Sequence, residues 1–220
     1  MKKLLSLLLV SCSLSAFACV NGPPPPEWSI GVIGFGNVNM PVSGMHGYFL
    51  PGIQFAHQLP FSHWSQRAAF EYTRNSMYTP QFPPGSADMM YIDGKESRTL
   101  VRLGVERGFY VHRLFQPYAA LDLGFQHAKS DMRMVGGIAG LNERDRTTTN
   151  GIGLLPAVGF KSYISKRFAV YAEYRAEAFL NKVNTDVTYY SGNIDSRPSN
   201  EMQFDFKGGN IVQAGVQVMF

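Results

Sequence analysis

The stretch Asn210–Phe220 reads N-I-V-Q-A-G-V-Q-V-M-F, and its alternation indicates the fold class. Successive side chains of a strand point to opposite faces. One face of this strand would therefore carry valines, alanine and the terminal Phe220, and the other would carry glutamines, glycine, Ile211 and Met219. Such a strand fits a soluble β-sandwich, or a membrane barrel whose apolar face meets lipid. The rest of the chain must distinguish the two folds.

The same alternation recurs along the chain and predicts eight strands. They are expected at residues 28–38, 47–59, 65–75, 97–111, 117–129, 151–164, 168–180 and 210–220. Long polar connections are expected at residues 76–96, 130–150 and 181–207. Short connections alternate with them, which is typical of outer-membrane barrels with short periplasmic turns and long external loops. The predicted fold is an all-β, eight-stranded antiparallel up-and-down transmembrane β-barrel over residues 28–220. A soluble jelly roll or lipocalin-like barrel remains the alternative.

Composition is compatible with this fold. The chain has 220 residues, of which 45% are hydrophobic and 16% charged, and its mean hydropathy is −0.10. After the N-terminus no run of about 18 apolar residues occurs, so no membrane-spanning helix is predicted. The net charge of +4 falls to +2 without Lys2 and Lys3. This charge is too small to indicate a nucleic-acid partner.

Residues 1–18 are predicted to be a secretory signal peptide. Lys2 and Lys3 precede a short apolar core, and Ala16-Phe17-Ala18 matches an A-x-A cleavage site. Cys12 and Cys19 leave lipoprotein processing open as the alternative to cleavage after Ala18. Both cysteines of the chain lie here, so the barrel is expected to contain no disulfide and no thiolate metal site.

Residues 19–27 form a predicted proline-rich leader. Four consecutive prolines, Pro23 to Pro26, favour a stiff polyproline spacer before the first strand. A ligand for a proline-recognising partner is the alternative interpretation.

Aromatic residues collect near the predicted periplasmic end of the strands. The expected members are Trp28, Phe61, Trp64, Phe115, Tyr118, Tyr163, Phe168 and Phe220. Aromatic girdles of this kind mark the membrane interfaces of outer-membrane barrels.

Two short motifs resemble those of a known superfamily. Residues 159–163 (G-F-K-S-Y) and 173–175 (E-Y-R) are similar to the penultimate hairpin of small outer-membrane β-barrels of the OmpA, OmpX and opacity-protein type. The terminal Phe220, preceded by alternating apolar residues, resembles the signal that these proteins present to the barrel-assembly machinery. The resemblance implies insertion by that machinery into the outer membrane of a diderm bacterium. It also implies outer-membrane lipid as a partner.

Charged residues on the inward faces are the first candidates for function. The predicted charge network comprises Glu71, Arg102, Glu106, Asp122, Lys161, Glu173, Arg175 and Glu177. An eight-stranded barrel is just wide enough for side chains to fill it, so opposite charges should pair there. Glu106 is expected across from Asp122, where the two carboxylates would repel unless a base such as Arg102 lies between them or one of them is protonated. A narrow ion or proton path through these pairs is the alternative.

Catalysis is not predicted. His127 and Ser130 lie near the external end of the fifth predicted strand, but their spacing differs from the H-x-S of barrel deacylases. No G-x-S-x-G motif occurs. The other histidines show no metal-ligand spacing, and neither a cofactor nor a metal is expected.

The external connections are the remaining candidates for function, because loops on rigid scaffolds often carry binding residues. Tyrosines stand there beside small polar and charged residues, as in adhesive surfaces. The sequence thus predicts a non-catalytic barrel with a structural role or with an external ligand or surface as partner. A narrow porin-like channel is the alternative, and a lipid-modifying enzyme is a third hypothesis.

Overall fold

The computed structural model describes residues 28–38, 52–59, 63–81, 90–109, 114–136, 141–189 and 196–220. The predicted signal peptide (1–18), the leader (19–27) and the first external connection (40–46) lie outside these residues. The described residues include no helix that is long and apolar enough to cross a membrane.

Within these described residues, eight antiparallel strands form a closed barrel, as predicted. They are β1 (Trp28–Val38), β2 (Gly52–Gln58), β3 (Trp64–Gln81), β4 (Met90–Gly108), β5 (Phe115–Gly136), β6 (Leu141–Tyr163), β7 (Phe168–Tyr189) and β8 (Ser196–Met219). Each strand pairs with its neighbour in sequence, and β1 pairs with β8 to close the cylinder. Backbone hydrogen bonds between Trp28 and Phe220 complete this seam at the periplasmic end.

The predicted faces of the strands are confirmed, whereas several predicted ends are wrong. The three long connections at 76–96, 130–150 and 181–207 are mostly strand, because β3 to β8 continue well beyond the expected boundaries. The second predicted strand is shorter in the described residues, since β2 begins at Gly52. Alternation of apolar and polar residues marks a strand only where one face meets lipid or a dry interior. A strand with water on both faces keeps its backbone hydrogen bonds, but its sequence shows no alternation of apolar and polar residues.

Apolar side chains cover the outward face of the barrel in a band that we name the apolar belt. On β7 it extends from Phe168 to Leu180, and on β6 from Phe160 to Ile152, with these side chains exposed. Twelve residue steps on a tilted strand span roughly 30 Å, which matches a bilayer's hydrocarbon core. A monomer in water does not expose so large an apolar surface. The band therefore faces lipid.

Beyond the apolar belt, the strands continue as what we name the external extension. It comprises residues 73–81, 90–99, 127–136, 141–150, 181–189 and 196–203. The ten residues of β5 from His127 to Gly136 rise roughly 20 Å above the belt. The surface facing the environment is consequently a paired β-sheet, where the sequence predicted loops.

Most of the predicted periplasmic girdle is confirmed. Exposed aromatic side chains at that end are Trp28, Trp64, Phe115, Phe168 and Phe220. Tyr118 was wrongly assigned to it, because this side chain is 2% exposed and lies in the lumen. Tyr163 is only partly exposed and bonds to Gln116, and Phe61 lies outside the described residues.

Glycines on inward positions make room for large lumen side chains. A Cβ at Gly159 would lie 2.6 Å from the Tyr118 ring, and one at Gly215 would lie 2.7 Å from the Tyr171 ring. Such distances are far shorter than normal carbon–carbon contacts, so side chains at these positions would displace the two tyrosines. Small residues beside large ones thus keep the lumen densely filled.

Candidate functional site

All eight predicted charged residues point into the lumen and form one connected network. None of them is more than 6% exposed. They come from β3 to β7, because each stands at an inward position of the alternation. Sequence reasoning therefore assigned these residues to the correct face.

Arg67 on β3 is one of two residues that the predicted network omitted, although it shares an inward face with Glu71; the other is Arg98 on β4. Its Nε and Nη2 atoms donate to the two carboxylate oxygens of Asp122, at 2.7 and 2.6 Å. Its Nη1 donates to Glu173 and lies 3.7 Å from a carboxylate oxygen of Glu106. Arg67 thus contacts three carboxylates. The strand pattern placed it inside the barrel, but nothing in the sequence marked it as central.

Arg102 and Arg175 continue the network toward the external end. Arg102 lies 2.7 Å from Asp122, 3.4 Å from Glu173 and 2.7 Å from Glu71. Arg175 donates to both oxygens of Glu71, at 2.9 and 3.1 Å, and to Glu177 at 3.1 Å. These two guanidinium groups therefore join carboxylates from three strands across the middle of the lumen.

The two ends of the network differ in exposure. At the periplasmic end Lys161 pairs with Glu106 and lies over the Tyr118 ring, 5.1 Å from its centroid. At the external end Arg98 donates to Glu177 at 2.7 Å, and its side chain is 25% exposed. We refer to the eight predicted residues together with Arg67 and Arg98 as the charge network.

Charges in this network balance. Five carboxylates (Glu71, Glu106, Asp122, Glu173, Glu177) face five cations (Arg67, Arg98, Arg102, Lys161, Arg175). An unpaired buried charge would cost several kcal/mol, so neutrality within the lumen is what makes this filling stable. Neutral side chains add further bonds: the Tyr118 hydroxyl donates to Glu173 at 3.1 Å, and the Gln213 amide donates to Glu173 at 3.2 Å.

The expected pairing of Glu106 with Asp122 is wrong by two residues. Glu106 lies across from Ala120, and Asp122 lies across from Gly104. The hairpin between β4 and β5 is centred one residue earlier than predicted, which shifts every pair by two. The expected base between these carboxylates is present, but Arg67 contacts both of them, while Arg102 contacts Asp122.

Below the network, the periplasmic mouth of the barrel contains a polar cavity that we name the vestibule. Its lining residues are Ser29, Ala56, Gln58, Ser65, Glu106, Gly108, Gln116, Lys161, Tyr163, Gln217 and Met219. It offers about 30 Å³ to water, which is enough for one or two water molecules. Lys161 and Glu106 line this cavity as an ion pair, so the vestibule borders the charge network.

His127 and Ser130 do not form a catalytic pair. His127 is on the outward face of β5, where its Nδ1 lies 2.7 Å from the Asn150 side-chain oxygen. Ser130 is at an inward position of the same strand, so the barrel wall separates the two side chains. The His57 ring lies against Trp28, with the ring centroids 4.2 Å apart and the planes tilted by 34°. Within the described ranges, no three His, Cys, Asp or Glu side chains form a group that could hold a metal ion.

Comparisons with known proteins agree with this architecture. A family model described as "Outer membrane protein beta-barrel domain" matches residues 4–220. A major outer membrane protein from Thermus thermophilus is 10% identical, with a TM-score of 0.55 over 88% of this chain and 99% of that one. At this identity the likeness shows a shared fold.

Two other solved structures are similar to this chain with lower TM-scores. Ail, the attachment invasion locus protein of Yersinia pestis, is 14% identical, with a TM-score of 0.46 over 90% of this chain and all of that one. Neisserial surface protein A is 16% identical, with a TM-score of 0.42 over 88% of this chain and 96% of that one. Among proteins with curated descriptions, none matches this sequence.

Proposed function

Because this chain belongs to the outer membrane protein beta-barrel domain family, we propose that it is a non-catalytic barrel that acts through its external surface. The observation that supports this proposal most strongly is the filled lumen. The charge network spans the described lumen from the vestibule to Arg98, and its arginines hold carboxylates from several strands. A barrel closed in this way acts as a rigid support for the external extension.

Planar-bilayer recording tests the closed lumen. The native barrel is expected to show no discrete conductance steps, because an ion would have to break several buried ion pairs to pass. Insertion is checked independently by heat-modifiable migration of the recovered protein. Discrete steps from folded, inserted protein would contradict the proposal.

A narrow channel is the second candidate, and the vestibule is the observation that favours it. The vestibule is lined by Lys161 and Glu106 on one side, and Arg98 is partly exposed on the other. Between these points the path crosses Arg67, Arg102 and Arg175. Conduction would require at least one of these guanidinium groups to leave its carboxylates, so steps in the recording would support this alternative.

We also propose that Phe220 is an assembly signal for the barrel-assembly machinery. Its side chain is 64% exposed on the outward face at the periplasmic end. Its backbone N–H donates to the Trp28 carbonyl at 3.0 Å, which places it at the seam where the barrel closes. An exposed aromatic residue beside the seam between β1 and β8 is accessible to a partner protein.

Phe220→Ala is expected to lower the yield of inserted barrel several-fold in cells and to leave unassisted refolding in detergent nearly unchanged. The reason is that the backbone bonds of the seam remain while the proposed recognition element is lost. Quantitative blotting of the heat-modifiable form in membranes measures the yield. Phe168→Ala, which removes an exposed aromatic side chain at the same end, is the matched control. Equal losses for both variants would show that lipid anchoring, not recognition, explains the effect.

A further inference from the structure

On the outward face of β3, β4 and β5, apolar, cationic and aromatic side chains follow one another from the apolar belt into the external extension. The charged side chains of this face within the extension are four cations and two carboxylates: Arg74, Lys95, Lys129, Arg133, Asp93 and Asp131. We name this surface the β3–β5 lateral face. It is the side wall of the extension and not its tip, so it faces whatever surrounds the barrel in the plane of the membrane.

The cations begin where the apolar belt ends. On β3, Arg74 is the first outward residue beyond Tyr72, and on β5, Lys129 is the second beyond Phe125. Outward residues on a tilted strand follow one another roughly every 5 Å in height. Arg74 and Lys129 therefore lie within about 10 Å of the hydrocarbon edge, which is the depth of lipid headgroups.

These cations are available for a ligand. Among the described side chains, Arg74, Lys95 and Lys129 form no ion pair within 4 Å, although Lys95 stands across the sheet from Asp131 and interacts with it electrostatically. The Asp131 carboxylate accepts two hydrogen bonds from Arg144, at 2.8 and 2.6 Å. Hydrogen bonding from Arg144 lowers the pKa of the Asp131 carboxyl. This carboxylate is therefore already paired with the Arg144 guanidinium.

Above the cations stands an exposed aromatic pair. Tyr78 and Tyr91 stack with their ring centroids 5.9 Å apart, and they are 67% and 40% exposed. Asp93 and Arg133, both exposed, are neighbours in the sheet and flank the pair. Exposed aromatic faces beside a carboxylate and a guanidinium suit sugar rings, which offer C–H groups to the ring and hydroxyls to the charged groups.

We propose that the β3–β5 lateral face binds a phosphorylated glycolipid of the outer leaflet. Acyl chains would lie against the apolar belt, phosphates would meet Arg74, Lys95 and Lys129, and sugars would meet Tyr78 and Tyr91. The order of apolar, cationic and aromatic residues along the strands matches the order of these groups along such a lipid. This inference rests on the proposed surface role of the extension and names its partner.

Native mass spectrometry of the detergent-solubilised barrel, titrated with bisphosphorylated lipid A, tests the phosphate contacts. Arg74→Gln/Lys129→Gln is expected to weaken binding roughly 25-fold, because each of the two cations at a membrane surface contributes about a factor of five. Lys166→Gln/Arg167→Gln removes the same two residue types from the exposed periplasmic turn and should bind like the native protein. Equal affinities for the two double variants would overturn the proposal. So would equal binding of dephosphorylated lipid A to the native barrel.

The tyrosine pair is tested with a longer ligand. The Tyr78→Ala/Tyr91→Ala variant should bind lipopolysaccharide with core sugars several-fold more weakly than the native protein does. It should bind lipid A as tightly as the native protein. Phosphatidylglycerol is the third probe. If phosphatidylglycerol competes for the surface as well as lipid A does, the surface binds any negatively charged lipid and the glycolipid assignment is wrong. Lipid binding and conductance are measured separately. A native barrel that gives a silent bilayer recording but does not bind lipid A would contradict this inference and leave the proposed closed lumen intact.

Discussion

Replacing Arg67 with methionine is expected to lower the free energy of unfolding by about 3–5 kcal/mol. The substitution keeps much of the side-chain volume and removes the charge that contacts Asp122, Glu173 and Glu106. Three carboxylates, none more than 3% exposed, would then share the remaining cations. Urea titration in lipid vesicles, followed by the fluorescence of Trp28 and Trp64, measures the change.

Arg167→Met is the matched control for this prediction. Arg167 lies exposed in the turn between β6 and β7, so losing its charge should change stability by no more than about 0.5 kcal/mol. A further variant, Arg67→Met/Glu173→Gln, removes both charges of the Arg67–Glu173 ion pair. It should be more stable than the sum of the single changes predicts, because fewer carboxylates lack a partner. If Arg67→Met and Arg167→Met proved equally mild, the charge network would not stabilise the barrel.

Replacing Arg102 and Arg175 with serine is expected to turn a silent barrel into one with discrete conductance steps. These are the largest of the fully buried side chains in the described residues, and both cross the middle of the lumen. Their removal would leave water-sized space beside Glu71, Glu173 and Glu177. Carboxylates around a wet passage attract cations, so the steps should be cation-selective.

Planar-bilayer recording with a salt gradient measures both the steps and their selectivity. Lys166→Ser/Arg167→Ser removes two cations from the periplasmic turn and should stay silent. Heat-modifiable migration confirms that each variant is folded before recording. A folded Arg102→Ser/Arg175→Ser barrel without steps would show that other side chains, such as Tyr171 and Gln213, close the lumen. An anion-selective barrel would contradict the assigned role of the carboxylates.

The strand count, the strand faces and eight of the ten residues of the charge network could be predicted from the sequence. The reason is local: a strand between lipid and a filled lumen alternates its side chains, and Glu173 and Arg175 stand at alternate positions of the most regular segment. The external ends could not be predicted, because residues 130–136 and 141–150 are rich in charged and polar side chains, such as Asp131, Arg133 and Glu143, which are typical of loops. Their strand character depends on hydrogen bonds to neighbouring strands.

Asn210–Phe220, with its alternation of valine and glutamine, was enough to indicate a strand with one apolar face, and the repetition of that pattern was enough to indicate a barrel. The sequence by itself therefore determined which side of the wall each side chain occupies. Only the tertiary structure decided which charges meet. The partners of Arg67 stand 39, 55 and 106 positions away in the chain, and a register change of two residues would replace each of them. Pairing across a barrel depends on turn geometry and strand stagger, which residue alternation does not encode.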